Sequence, residues 1–158
     1  MSEYQGTFKR YEKKYLVTQK QYNALATVFA ARMVPDRFAE SHISHIYYDT
    51  PDFRLIRRSL EKPVYKEKLR LRSYGRADRE HPVFMELKKK YRSIVYKRRL
   101  TLPYGRALDC LTGDCPWPET QSGREIGYAM DFYPDLEPRV FLSSDRDSWS
   151  APASGLRI

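Results

Sequence analysis

The 158-residue sequence has no Gly-x4-Gly-Lys-Ser/Thr loop and no Gly-x-Gly-x-x-Gly, so the two commonest nucleotide cradles are missing. Its longest nearly apolar run, Ala24 to Ala31, falls far short of the ~20 residues that span a bilayer. Two cysteines, Cys110 and Cys115, make neither a disulfide framework nor a four-ligand zinc site. No Ser-His-Asp arrangement stands out, and His42 and His45 have no matching metal-ligand cluster. No basic-then-apolar leader opens the chain, and the expectation is a single cytoplasmic domain, 1–158, without a membrane segment.

What is abundant is positive charge, and it is concentrated. The net charge is +9. Residues 54–106 carry 18 basic and 5 acidic side chains, whereas residues 107–158 carry 4 basic and 9 acidic. A block so basic would ordinarily repel itself and stay unfolded. Here the cations alternate with Leu, Val, Met and Phe, which is the signature of strands. The partner is therefore anionic: nucleic acid, a phosphorylated metabolite, polyphosphate or a membrane surface.

The alternation assigns faces. In 66–74, Lys66, Lys68, Arg70, Arg72 and Tyr74 share one face, opposite Glu67, Leu69, Leu71 and Ser73. In 84–90, Phe84, Glu86, Lys88 and Lys90 share a face. In 94–102, Val95, Lys97, Arg99 and Thr101 oppose Ile94, Tyr96, Arg98, Leu100 and Leu102. Further strands are expected at 8–17, 43–48, 139–146 and from Leu156 onward. Thr18 and Gln21 form a capping box before a helix with Tyr22, Leu25, Ala26, Phe29 and Met33 inward. Asp52 is the expected cap of a short helix with Phe53, Ile56 and Leu60 inward. Leu108 and Leu111 suggest another short helix, and 126–132 is ambiguous.

Several strands with cations on one face can line a basic cavity, and a barrel is the architecture that turns such faces inward. Glu12 and Glu86 share those faces. Each can be a ligand for Mg²⁺ or Mn²⁺ beside substrate phosphates, or an ion-pair partner of the neighbouring cations. A tyrosine-rich basic surface for single-stranded nucleic acid is the competing picture.

Phe8-Lys-Arg-Tyr-Glu-Lys-Lys-Tyr15, Tyr47-Tyr-Asp-Thr-Pro-Asp52 and Tyr65-Lys-Glu-Lys-Leu-Arg-Leu-Arg-Ser-Tyr-Gly75 resemble segments of the vacuolar transporter chaperone (VTC) domain. Val83-Phe-Met-Glu-Leu-Lys-Lys-Lys90, Val95-Tyr-Lys-Arg-Arg99, Ser144-Asp-Arg146 and Leu156-Arg-Ile158 follow in the family's order. The chain looks like the short bacterial form. The resemblance implies an α+β fold, the triphosphate tunnel (CYTH-like) antiparallel β-barrel with a basic lumen and flanking helices. It implies a polyphosphate polymerase, moving the γ-phosphoryl of ATP onto a polyphosphate chain with Mn²⁺ or Mg²⁺. ATP, triphosphate or polyphosphate would be the ligands, and nucleic acid the less favoured one.

Residue by residue, Lys14, Arg70, Arg72, Lys88, Lys97, Arg146 and Arg157 take the places of the family's phosphate-gripping cations. Arg99 joins them from the alternation. Arg70 and Arg72 would hold the nucleotide phosphates, and Lys14, Lys88 and Lys97 the transferring group. The wider fold is marked by a Glu-x-Glu-x-Lys strand, which here reads Arg10-x-Glu12-x-Lys14. That departure favours a polymerase over a triphosphate hydrolase. The family runs on past Leu-Arg-Ile, so the expectation is a barrel incomplete at its C-terminal end, which a second chain could complete, and a domain that turns over poorly by itself.

Overall fold

The computed structural model describes residues 13–92 and 94–158, leaving aside the side chains of 37–39. The order is α1 (Gln19–Arg32), β1 (Val34–Asp49), α2 (Arg54–Leu60), β2 (Tyr65–Tyr74), β3 (Pro82–Tyr91), β4 (Ile94–Pro103), α3 (Tyr104–Thr112), α4 (Gln121–Phe132), β5 (Glu137–Ala151) and β6 (Leu156–Arg157). The strand order is β4-β3-β2-β1-β5-β6, and the pairings of β1–β2, β2–β3, β3–β4 and β5–β6 are antiparallel. The chain is thus α+β. It divides into two compact units: one takes in the chain up to Arg37 together with Ser148–Ile158, the other Phe38–Asp147.

In the larger unit the strands read from the sequence at 66–74, 84–90 and 94–102 are present, each extended by one to three residues. Their apolar face makes the core. Leu69, Leu71, Val83, Met85, Leu87, Leu100 and Leu102 pack with Tyr48 of β1, Ala107 of α3 and Ile126 and Ala129 of α4. Truncating one of these buried leucines to alanine is expected to cost about 2–5 kcal/mol, the transfer loss plus a cavity. Charged residues on this face are paired to the covering helix. Glu125 of α4 accepts from Arg98 Nε at 2.7 Å and from Lys89 Nζ at 3.2 Å.

Two local expectations shift. The short helix α2 begins at Arg54, and its cap residue Phe53 has φ 59°, the left-handed region. Asp52 does not cap it; Asp49 does, accepting from the amides of Leu55 and Ile56 at 2.8 and 3.0 Å, with Thr50 Oγ1 taking the Arg54 amide at 3.0 Å. The buried face is consequently Leu55 and Ser59, while Phe53, Ile56 and Leu60 remain exposed. The ambiguous stretch 126–132 is the second half of α4, whose N-cap Thr120 accepts from the Gly123 amide at 3.1 Å. Gly123 is required there, because a Cβ would lie 2.0 Å from the Pro118 carbonyl oxygen.

In the smaller unit, Thr18 and Gln21 form the expected reciprocal capping box of α1. Residues 13–17 adopt no strand; the remainder of the expected strand at 8–17, including Glu12, lies outside the described residues. No residue of α1 is buried, although its apolar side chains recur at helical spacing. Spacing fixes which residues share a face, not whether anything covers it. β6 pairs with the end of β5, where the backbones of Trp149 and Ile158 exchange two 2.9 Å hydrogen bonds.

Candidate functional site: a cation-rich sheet face

On the face of β2, β3 and β4 opposite the core, cross-strand register sorts the cations into rows. One row runs Tyr47, Arg70, Glu86, Arg99; the next runs Lys68, Lys88, Lys97; a third runs His45, Arg72, Phe84. Directly opposed side chains in such rows stand about 4.5–5.5 Å apart at Cβ, and like charges there repel.

Glu86 is the hub. Its side chain is 2% exposed, and four cations converge on it. Arg70 reaches Oε2 through Nε and Nη2, both at 2.6 Å. Arg99 reaches Oε1 through Nε at 2.8 Å, Lys97 Nζ lies 2.9 Å from the same oxygen, and Arg72 Nη2 lies 3.5 Å from Oε2. Burial by itself would raise the Glu86 carboxyl, but the Lys97 hydrogen bond and the Arg70 and Arg99 guanidiniums outweigh it and hold its pKa down at about 2. Burial, with Arg99 and Arg72 adding to it, lowers the Lys97 ammonium against the opposing pull of Glu86.

One carboxylate cannot neutralise this face. Lys68 and Lys88 have no carboxylate partner among the described residues. The Arg72 Nε and His45 Nδ1 atoms, at paired positions of β2 and β1, are buried without a hydrogen-bond partner. His45 is kept neutral: burial first, then the charges of Arg70 and Arg72, push its pKa down to about 4. Aromatic rings brace the guanidiniums. Arg70 Nη1 donates to the Tyr47 hydroxyl at 3.1 Å and Arg72 Nη1 to that of Tyr74 at 3.2 Å; the Arg99 guanidinium lies 4.8 Å from the Phe84 ring centre. Fixed, oriented donors with excess positive charge suit phosphate oxygens, which arginine forks bind in pairs.

Of the residues singled out in the sequence, Arg70, Arg72, Glu86, Lys97 and Arg99 meet at one point, with Lys88 next to Lys97 in register. Arg146 of β5 belongs to the same unit and acts electrostatically on His45. Lys14 and Arg157 belong to the smaller unit, where Arg157 is ion-paired with Asp36. His45 and Tyr47 are the contributions that the strand alternation did not assign to the site, whereas Tyr74 lies on the face that it gave. Register between β1 and β2 was the missing information, since it alone sets His45 and Tyr47 beside Arg72 and Arg70.

Glu86 does not suit a divalent ion. Both its oxygens are taken by cations, and a dication would join four positive groups. Among the described residues no three His, Cys, Asp or Glu side chains come together to hold a metal. The geometry favours the ion-pair role of Glu86 that the sequence left open beside the metal role.

The VTC domain profile matches residues 9–158. The chain belongs to the VTC domain family. No curated protein matches it in sequence. A solved structure from Bacillus halodurans, provisionally assigned as an adenylate cyclase, is similar at a TM-score of 0.57 and 18% identity, covering 84% of this chain. That neighbour has the triphosphate tunnel fold, and this VTC-domain chain shares it. The chain spans 62% of the neighbour's length. Proteins of this fold generally depend on a divalent metal. No helix among the described residues is long and apolar enough to cross a membrane.

Proposed function

We propose that this VTC-domain chain binds a linear triphosphate or polyphosphate across the rows of β2, β3 and β4 and serves a polyphosphate polymerase, which passes the γ-phosphoryl of ATP to a growing chain. The carrying observation is the Lys68–Lys88–Lys97 row, opposed like charges that a bound anion would relieve, beside the Arg70–Glu86–Arg99 row, whose one carboxylate serves four cations. A linear anion fits a row of this kind better than a compact one, because successive phosphates meet successive strands.

Phosphoryl transfer asks little covalent help of a protein; donor and acceptor must be aligned and charge on the equatorial oxygens stabilised. Arg70 and Arg72 present fixed N–H donors, locked by Glu86, Tyr47 and Tyr74, to hold the donor phosphates. Lys88 supplies a mobile point charge at the transferring group, and Lys97, held by Glu86, a fixed one. Glu86 keeps the guanidiniums in place without cancelling them. The nucleophile is an oxygen of the acceptor phosphate, so no serine or cysteine is needed. Arg146, of the same unit, would add to the clamp, while Lys14 and Arg157 take a phosphate-binding role by family resemblance alone. The Mn²⁺ or Mg²⁺ implied by family resemblance finds no carboxylate cage among the described residues, and none of these roles relies on it.

Calorimetric titration with sodium tripolyphosphate and with duplex DNA at physiological salt tests the binding. Clear preference for tripolyphosphate is expected; equal affinities, falling together with salt, would mark a general polyanion surface instead. Polyphosphate formation from ATP, followed with labelled γ-phosphate, tests the transfer.

A further inference from the structure

The two cysteines lie together, away from the basic face. Cys110 is the last buried residue of α3 and Cys115 follows in the turn toward α4; both are free thiols, with their Sγ atoms 2.7 Å apart. We propose that Cys110 and Cys115 form a reversible dithiol–disulfide site, oxidised by a small disulfide of the glutathione class and reduced again by the corresponding thiol.

Local chain geometry makes the pair. Gly113 closes α3 with φ 86°, the left-handed region, and the Asp109 carbonyl then accepts from the amides of Asp114 and Cys115 at 2.8 and 3.2 Å. The chain thereby doubles back and sets Cys115 against the last turn of the helix. The sulfurs need to close by less than about 1 Å to reach bonding distance. Their other polar contacts are long, Cys110 Sγ to the Pro116 carbonyl at 3.5 Å and Cys115 Sγ to the Arg106 carbonyl at 3.9 Å, so a bridge sacrifices little. The two thiols are also unequal. Cys110 is 4% exposed, and burial first, then the neighbouring Cys115 thiol, pushes its pKa up to about 12. Cys115 is part-exposed, so a reagent in solution reaches it first. Among the described residues no third metal-ligating side chain joins the pair.

Oxidation takes two displacements. Cys115, having lost its proton, attacks one sulfur of the small disulfide; a mixed disulfide forms, and the expelled thiolate takes up that proton. Cys110 then loses its own proton and attacks the Cys115 sulfur, expelling the second small thiolate, which is protonated in turn. The chain gives up two electrons and two protons, and the small disulfide becomes two thiols. The bridge fastens the turn that leads to Trp117, whose ring packs on the core and against Gly127 of α4. It thereby secures the helix that supplies Ile126 and Ala129 to the core and Glu125 to Lys89 and Arg98.

The test equilibrates the full chain in glutathione buffers of graded oxidised-to-reduced ratio, alkylates free thiols after an acid quench, and reads the tryptic peptide 107–124, which holds both cysteines, by mass spectrometry. An unalkylated peptide lacking two hydrogens is expected to accumulate with oxidation and to disappear with dithiothreitol. The midpoint of thermal unfolding should rise with it by about 4–8 °C, the scale of a short closed loop in a chain of this size. Cys110→Ser should trap glutathione on Cys115, and Cys115→Ser should leave Cys110 unmodified, with folding of each checked by circular dichroism; the native chain decides the site even if a variant fails to fold. Alkylation of both thiols at every ratio, or a bridge between two chains, would overturn the site. Glutathione on Cys110 in Cys115→Ser would overturn the order of attack, and a bridge without a higher midpoint would overturn the fastening of α4.

Discussion

Strands β2, β3 and β4 carry two kinds of charge cluster on their opposite faces, and the difference lies in the arithmetic around one glutamate. On the helix-covered face Glu125 meets two cations, Lys89 and Arg98, and is 25% exposed. On the other, Glu86 is 2% exposed and meets four. Burial would raise both carboxyls, and the neighbouring cations lower both below the ordinary value. The first cluster pins a helix to a sheet. The second leaves positive charge over, held rigidly and pointed the same way. A surplus of oriented donors is what a binding site for an anion needs; a balanced pair is what packing needs.

The largest effect should come from removing the hub. Glu86→Ala leaves four crowded cations without their counter-charge, and breaking such a buried network is expected to destabilise the fold by about 3–5 kcal/mol, measurable by urea unfolding. Added tripolyphosphate should restore part of that stability, since it binds only the folded chain. No rescue by the anion would mean that the cations do not form its site.

Next in size is Arg70→Ala, which should weaken tripolyphosphate binding by about 1.5–3 kcal/mol, the range for a hydrogen bond to a charged group. Glu125→Ala, the matching cut on the helix-covered face, should cost at most about 1 kcal/mol of stability, as part-exposed pairs do, with tripolyphosphate affinity unaltered. Should Glu125→Ala prove as damaging as Glu86→Ala, the contrast between the two faces would collapse.

The smallest effect concerns acid. His45 titrates near 4 in the folded chain against 6.5 ordinarily, and Glu86 near 2 against 4.5. In both cases the unfolded chain binds more protons between the two values, so stability rises with pH across each window and is lost as pH falls. The His45 contribution is lost between pH 6.5 and 4, that of Glu86 between 4.5 and 2. His45→Gln should flatten only the upper part of a pH–stability curve measured by thermal unfolding.

Much of this contrast was legible in the alternation alone. A period of 2 placed Lys68, Arg70, Arg72, Lys88, Lys97 and Arg99 opposite Leu69, Leu71, Met85 and Leu87, because a strand offers each residue only two directions. What alternation does not carry is register. It could not say that Glu86 stands between Arg70 and Arg99, nor that Tyr47 and His45 face the same way as their β2 partners. Helix caps were legible where the motif is local, as with Thr18 and Gln21. They were missed where a turn intervenes: Asp49 reaches amides six and seven residues on only because Phe53 adopts a left-handed backbone. Family resemblance named the fold and the cations.

The central claim is that position, not net charge, makes the site. Two double variants remove the same charge from the same sheet: Arg70→Ala with Lys97→Ala on the basic face, and Lys89→Ala with Arg98→Ala on the helix-covered face. Tripolyphosphate binding, measured by calorimetry at physiological salt on folded samples of both, should fall at least about tenfold in the first, as expected for loss of charged hydrogen bonds. In the second it should stay within about threefold, the reach of screened charges at a distance. Equal losses in the two variants would contradict the account and reduce the face to a diffuse positive field.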